Sequence, residues 1–429
     1  LIPDDVETAV RFGGGPERRG SIMKASHLAC KGCGAVYPLE ALFACDRCFG
    51  PLDVRFDESE PVSRARVEAG PRTLWRFADF LPVAPPERGL PVGCSPLIRA
   101  DRLAAELGLE CELHIKTETS NPTHSFKDRV VAVAAAKAVE LGYEALACAS
   151  TGNLAGATAA AGAALGLPTY IFVPADLERE KIIAAAAYGA TVFVVDGSYD
   201  DVNRLCSELT YERPWAFVNV NMRAYYAEGS KTIALETAEQ LGWRAPDRVV
   251  APIASGSLYT KILQGFEQGR AAGLIEPGAA PAMHGAQGEG CSPVAAAFAL
   301  GADEVVPVRP TGIAKSLAIG NPADGVFALG VARRTGGSIE AATDDEIVAG
   351  IRLLARTTGI FTETAGGVTT AVLRRLAERG EIGAGETVVA YITGDGLKTI
   401  EAVAPMVETI AIPADADAVL AALAAPATR

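Results

Sequence analysis

Residues 145–195 read ALACASTGNLAGATAAAGAALGLPTYIFVPADLEREKIIAAAAYGATVFVV. Apolar runs at 145–149, 169–173 and 191–195 alternate with Ala-rich stretches at 153–164 and 178–188. The runs are short enough for strands and the stretches long enough for helices. Gly166 and Pro168 stop the first helix before the next strand begins. Strand–helix alternation of this kind calls for parallel strands with helices covering both faces of the sheet.

The pattern extends in both directions. A helix at 202–209 and a strand at 216–220 follow; a second series starts with a strand at 249–253, a helix at 258–268, a strand at 283–286 and a helix at 293–300. Helices at 344–357 and 367–379 precede a strand at 387–392. The fold class is therefore α/β, with two doubly wound parallel sheets. Ligands in such folds bind beyond the carboxyl ends of strands, in the loops that enter helices.

The chain has 429 residues, enough for two or three domains, and its 49% hydrophobic content allows a large core. A net charge of −13 argues against a nucleic-acid-binding face, which needs clustered Lys and Arg. The apolar segment 145–174 is interrupted by Ser150, Thr151 and Asn153 and is not a membrane span. The opening residues 1–10 carry no secretory pattern, and the nine cysteines are odd in number, so a reducing, cytoplasmic setting is expected.

Four of those cysteines form two knuckles, Cys30-Lys-Gly-Cys33 and Cys45-Asp-Arg-Cys48, with eleven residues between them. The spacing suits a tetrahedral structural Zn2+; four reduced thiols without metal are the alternative. Thiolates would fill all four positions, so catalytic zinc is not expected.

A lysine stands at the head of another helix. The segment Asn121-Pro-Thr-His-Ser-Phe-Lys-Asp-Arg129 leads into an Ala/Val-rich helix at 130–141. Ser125 and Asp128 have the spacing of a capping box, which puts Lys127 in the first turn. The positive helix terminus and burial both disfavour the ammonium form, leaving a usable amine nucleophile. Taken alone, the segment reads more readily as a surface helix with a solvated lysine.

The wider pattern decides. Asn-Pro-Thr-His-Ser-Phe-Lys-Asp-Arg resembles the cofactor-lysine motif of the threonine synthase family, fold-type II enzymes of pyridoxal 5′-phosphate related to the tryptophan synthase β chain. The resemblance continues, in the family's order, through Ser150-Thr-Gly-Asn153, Gly320-Asn-Pro322, Gly359-Ile-Phe-Thr-Glu363 and Thr393-Gly-Asp-Gly396, and spans roughly residues 93–400. It implies that Lys127 holds pyridoxal 5′-phosphate as a Schiff base and is the catalytic base. Gly13-Gly-Gly-Pro16 reads as part of a flexible arm at 1–25, and the Cys pairs mark a zinc-ribbon-like segment at 26–55; the resemblance divides the rest into a large domain from 56–120 and 245–429 and a small domain at 121–244.

Further roles follow from the resemblance. Asn153 would meet the cofactor ring, while Ser150, Thr151, the Leu154 amide and Ser125 would bind substrate. Ser255, Gly256, Ser257 and Leu258 would cradle the cofactor phosphate; the family's loop is more glycine-rich, so the register is open by a residue. Thr393 would meet the ring nitrogen, with Asp395 a less favoured rival. Asn221 and Arg223 would reach a substrate phosphate, and a bland surface role is as compatible with their sequence. His124 stands where relatives often carry Gly and receives no role. Gly285-Ala-Gln-Gly-Glu-Gly290 lacks dinucleotide-loop spacing, and Gly229-Ser-Lys-Thr232 lacks the P-loop tail, so neither cofactor is expected.

The implied reaction converts O-phospho-L-homoserine and water to L-threonine and phosphate, in a homodimer, without nucleic acid or membrane. The rivals are a cysteate synthase acting on phosphoserine, a threonine dehydratase, and a non-catalytic scaffold.

Overall fold

The computed structural model describes residues 24–57, 62–150, 152–177 and 179–424. The arm expected at 1–25 lies outside them except for its last two residues. Three strands, β1 (Lys24–Cys30), β2 (Val36–Tyr37) and β3 (Leu52–Asp57), form an antiparallel sheet that carries the Cys knuckles. Helix α1 (Arg64–Glu68), strand β4 (Leu97–Arg99), helix α2 (Asp101–Glu106) and strand β5 (Glu112–Thr117) lead to α3 (Lys127–Glu140).

The quoted stretch folds as read. It forms β6 (Leu146–Ala149), α4 (Asn153–Leu165), β7 (Thr169–Pro174), α5 (Arg179–Ala187) and β8 (Thr191–Val195). Helix α6 (Tyr199–Glu212) and strand β9 (Ala216–Phe217) complete a four-stranded parallel sheet of order β8-β7-β6-β9. Gly166 adopts a left-handed φ of +73° as the α4 cap. Helix α6 starts earlier than expected because Ser198 and Asp201 make a reciprocal capping box. The strand expected at 216–220 is shorter because the amides of Val220 and Met222 turn back to the Phe217 carbonyl.

The remainder runs α7 (Arg223–Gln240), β10 (Arg248–Pro252), α8 (Ser257–Ala271), β11 (Ala282–Gly288), α9 (Pro293–Ala299), α10 (Gly325–Thr335), β12 (Ile339–Ala342), α11 (Asp344–Thr358), α12 (Thr364–Glu378), β13 (Thr387–Ile392) and α13 (Ala416–Ala424). The larger sheet has the order β12-β11-β10-β13-β5-β4. It is parallel except for β4, an antiparallel edge strand that strand–helix alternation did not foretell.

Among the elements that the sequence reading did not place, two share one reason. Strand β5 and helix α7 bury charges where an apolar face would otherwise signal them. Arg129 of α3 is fully buried. Its guanidinium donates to Glu118 at 2.6 Å and to Glu236 of α7 at 2.9 Å. Lys116 of β5 reaches the same Glu236 at 2.5 Å. Two cations thus meet two carboxylates with Ser95 and Thr232 as further partners, so the cluster is neutral and hydrogen-bonded. A second buried cluster joins Lys261 of α8, Glu228 and Lys231 of α7, and Asp53 of β3. It bolts the four-cysteine sheet to the helices. Helices α3 and α7 cross closely at Gly229, where a Cβ would lie 2.3 Å from the Arg129 carbonyl oxygen. Gly229-Ser-Lys-Thr232 is thus mid-helix packing and no phosphate loop.

Replacing Arg129 with Ala leaves two buried carboxylates sharing one lysine. A loss of about 3–5 kcal/mol in urea unfolding is expected. Arg374→Ala, which breaks an exposed pair with Glu378, is expected to leave the midpoint in place.

Candidate active site

A cavity of about 220 Å³ opens where loops from the two parallel sheets converge. Ser150 follows β6, Ser255 follows β10 and Thr393 follows β13, so three strand carboxyl ends deliver its walls. Lys127, the first residue of α3, lines it. Its Nζ donates to the Tyr226 hydroxyl at 2.9 Å and lies 4.6 Å from the Phe126 ring centroid. Burial lowers its pKa to about 8, with the Glu363 carboxylate pulling weakly the other way. About a tenth of the amine is therefore neutral at pH 7 and about half at pH 8.

The means by which α3 begins differs from the capping box expected. Asp128 does not reach back to cap. Its carboxylate accepts from the amide and the hydroxyl of Thr123, both at 2.8 Å, and so ties the preceding loop. Ser125 is buried, its backbone bridges to Gly394, and its Oγ has no partner; it does not line the cavity. His124 has a φ of +60°, a region that favours glycine, and its exposed ring bonds the Thr119 carbonyl. That backbone conformation explains why Gly suits the position, and the ring's contact gives it no chemistry.

Asn153 and Leu154, in the first turn of α4, line the cavity with Ser150. The Ser150 hydroxyl accepts from the amides of Gly152 at 2.9 Å and Ala155 at 2.8 Å, and so caps the helix as well. Thr151 lies outside the described residues. The Asn153 side-chain amide donates to both oxygens of Glu363, at 2.8 and 2.9 Å, and its buried Oδ1 is left without a partner.

Ser255, Gly256, Ser257 and Leu258 all line the cavity, at the start of α8. Gly256 has φ +93°, and a Cβ there would stand 2.8 Å from the Asp324 carbonyl oxygen. A side chain there would collide with the Asp324 backbone. Thr393 is buried and lines the cavity; the Asp395 carboxylate instead accepts from the Leu397 amide at 2.9 Å. Of the two residues considered for the ring nitrogen, only Thr393 lines the cavity.

The two candidates after β9 separate. Arg223 lines the cavity and pairs with Asp324 at 2.6 Å. Asn221 does not line it, because its side chain is spent on the Phe217 amide and the Trp215 carbonyl. Asn219, two residues earlier, lines the cavity in its stead. Tyr226, Glu363, Asn321 and Phe43 also face it. Glu363 and Asn321 lie in quoted motifs and could have been picked from them. Tyr226 sits in the charged helix α7, and Phe43 comes from the four-cysteine segment, which no sequence signal placed here.

The residues present fit pyridoxal phosphate. A half-buried amine of lowered pKa faces the same space as a glycine cradle at a helix N-terminus, a threonine hydroxyl and an unpartnered Asn153 oxygen. Away from the cavity, the sulfurs of Cys30, Cys33, Cys45 and Cys48 lie within 4.8 Å of one another, with Cys30–Cys48 at 3.4 Å and Cys33–Cys45 at 3.6 Å. Zinc–sulfur bonds of about 2.3 Å in a tetrahedron set sulfurs about 3.8 Å apart.

Residues 89–394 match the family model described as pyridoxal-phosphate dependent enzyme. The chain is 38% identical over 390 residues to a threonine synthase of Methanosarcina acetivorans, covering 89% of this chain and 94% of that protein. It is 36% identical to a threonine synthase of Methanocaldococcus jannaschii, over 87% of this chain and 93% of that one. The chain belongs to the threonine synthase family. Among solved structures, an O-ureido-L-serine synthase matches with a TM-score of 0.60 at 20% identity, covering 76% of this chain and 96% of that one. A fungal L-serine ammonia-lyase from Rhizomucor miehei matches with 0.60 at 20% identity, over 71% and 94%. At such identity these two speak for the fold, which the threonine synthase family shares with them.

The Lys127 pKa makes a kinetic prediction. Uptake of pyridoxal phosphate by cofactor-free protein, followed by visible absorbance, needs the neutral amine. With a pKa of about 8, the rate is expected to rise about fivefold from pH 7 to 8 and to level off by about pH 9. A lysine of ordinary pKa would keep gaining about tenfold per pH unit. The sign for stability matches: holding the charged amine costs stability below about pH 8, and the cost fades as pH rises toward the ordinary lysine value.

Proposed function

We propose that the protein converts O-phospho-L-homoserine and water to L-threonine and phosphate. One observation carries the reading: the Lys127 amine shares its cavity with two separate anion-binding features, the α8 N-terminus at Ser257 and the Arg223 guanidinium. A phosphorylated cofactor and a phosphorylated substrate require such a pair.

Bound pyridoxal phosphate supplies an electron sink for the charge left when a proton departs beside the substrate amino group. This chain's residues do the rest. Lys127 holds the cofactor and, as an amine of lowered pKa, takes and returns protons at the α and β carbons. Tyr226 fixes the amine's direction through its 2.9 Å contact. Ser150 and the first-turn amides of α4 receive the α-carboxylate. Ser255, Gly256, Ser257 and Leu258 hold the cofactor phosphate. Arg223 orients the substrate phosphate, which leaves from the γ carbon before water adds at the β carbon. The Thr393 hydroxyl at the ring nitrogen is a weak partner that does not enforce a protonated ring, in keeping with replacement chemistry. The four thiolates of the N-terminal knuckles hold one structural zinc. A homodimer in the cytoplasm rests on the resemblance; among the described residues no helix is long and apolar enough to cross a membrane.

Phosphate release with O-phospho-L-homoserine and O-phospho-L-serine side by side tests the substrate. Turnover of the first is expected; turnover of phosphoserine alone would give the chain to the cysteate synthase reading. Lys127→Ala is expected to abolish the visible band of lysine-bound cofactor and the activity together, and an unchanged band would sink the assignment. Elemental analysis is expected to find one zinc per chain in the intact protein and none in Cys33→Ser/Cys48→Ser, with a lower melting temperature.

A further inference from the structure

The four-cysteine segment reaches the edge of the active site. Phe43, between the knuckles in sequence, stands at the cavity and is 41% exposed. Lys31, between Cys30 and Cys33, extends inward: its Nζ pairs with Asp324 at 2.6 Å and lies 4.3 Å from the Phe327 ring centroid. Asp324 is buried, and its other oxygen holds Arg223 at 2.6 Å. The Asp324 amide donates to the Ser255 carbonyl at 2.9 Å, and its own carbonyl backs Gly256. One carboxylate thus sits between two cations, directly behind the phosphate cradle.

The charge count matters. An arginine paired one-to-one with a buried aspartate presents no net charge to an incoming anion. With Lys31 on the second oxygen, the triad carries one net positive charge, and the only member that faces the cavity is Arg223. Burial disfavours the charged Asp324, but Arg223 and Lys31 outweigh it, so the carboxyl remains ionised.

We propose that Lys31 is a positioning residue for substrate phosphate: by sharing Asp324 it leaves Arg223 with uncompensated charge, so that the four-cysteine segment sets the enzyme's affinity for phosphorylated substrates. The inference rests on the reading of Arg223 as the substrate-phosphate residue. It gives the N-terminal segment a part in recognition and not in fold alone.

The test uses holoenzyme. Inorganic phosphate is titrated against the visible cofactor band to obtain its dissociation constant, and KM and kcat are measured with O-phospho-L-homoserine. Lys31→Gln is expected to weaken phosphate binding and raise KM by about tenfold, the loss of one charge-assisted contact's worth of attraction, while kcat falls less than about threefold. Lys31→Arg is expected to restore both constants. Lys31→Gln/Asp324→Asn removes one charge of each sign and restores the net positive charge, so phosphate affinity is expected to recover to within about threefold. Unchanged phosphate affinity in Lys31→Gln overturns the proposal. So does a double variant as weak as the single one, because lost packing would not be repaired by a second neutralisation. If wild-type enzyme binds phosphate in a Lys31-dependent way yet does not turn over phosphohomoserine, the substrate reading falls and the Lys31 assignment stands.

Discussion

The guanidinium of Arg129 is fully buried and bonds carboxylates from two other segments, Glu118 just beyond β5 and Glu236 on α7. A buried ion pair of this kind contributes little net stability against an apolar replacement, but it is intolerant of a missing partner. Its consequence is positional. Arg129 lies two residues after Lys127, on the first turn of α3, so the helix that presents the amine cannot rotate or slide without stranding charge. Lys116, Glu236 and Ser95 extend the same constraint to β5, next to the edge strand of the larger sheet. The helix bearing Lys127, the strand before it and the helix bearing Tyr226 are thereby held in one register, and Lys127 meets Tyr226 across that register.

Charge is handled differently on the two sides of α3. Behind it, carboxylates and cations balance and water is excluded. In front, the Lys127 amine meets a phenol hydroxyl and aromatic rings, with Glu363 engaged by Asn153 instead. Burial lowers the Lys127 pKa, as it does that of Lys231 beside Glu228, whereas Lys261, held between Asp53 and Glu228, has its pKa raised. Lysines of one protein thus shift in opposite directions, and the raised one has two carboxylates against its amine.

Much of this was legible in the sequence. Periodicity located most strands and helices of the smaller sheet, and the motif order pointed to Lys127, Asn153, Ser255–Leu258 and Thr393, which the fold brings to one cavity. What stayed hidden was hidden for physical reasons. Helix α7 and strand β5 bury Glu228, Lys231, Glu236 and Lys116, so a search for apolar faces passes over them. The Asn219/Asn221 choice depends on a tight turn after β9 that decides which amide faces inward. Asp128 and Ser125 have the spacing of a cap, but the loop before them needed the carboxylate more. The arrival of Phe43 and Lys31 at the site is a tertiary fact, set by the docking of the four-cysteine sheet through Asp53.

The order of strands in the larger sheet also has a consequence in time. Strand β5 pairs with β13 along its whole length, Leu113 opposite Val388, and has only the short β4 on its other edge. The strands of the smaller sheet all lie between residues 146 and 217 and can close on local partners. During synthesis the smaller sheet can therefore assemble while β5 still shows one open edge of unpaired backbone N–H and C=O groups, and that edge is paired only once β13 has been made. The strand that leads into the lysine segment is among the last to gain its full set of neighbours, so a competent amine is a late event in the life of each molecule.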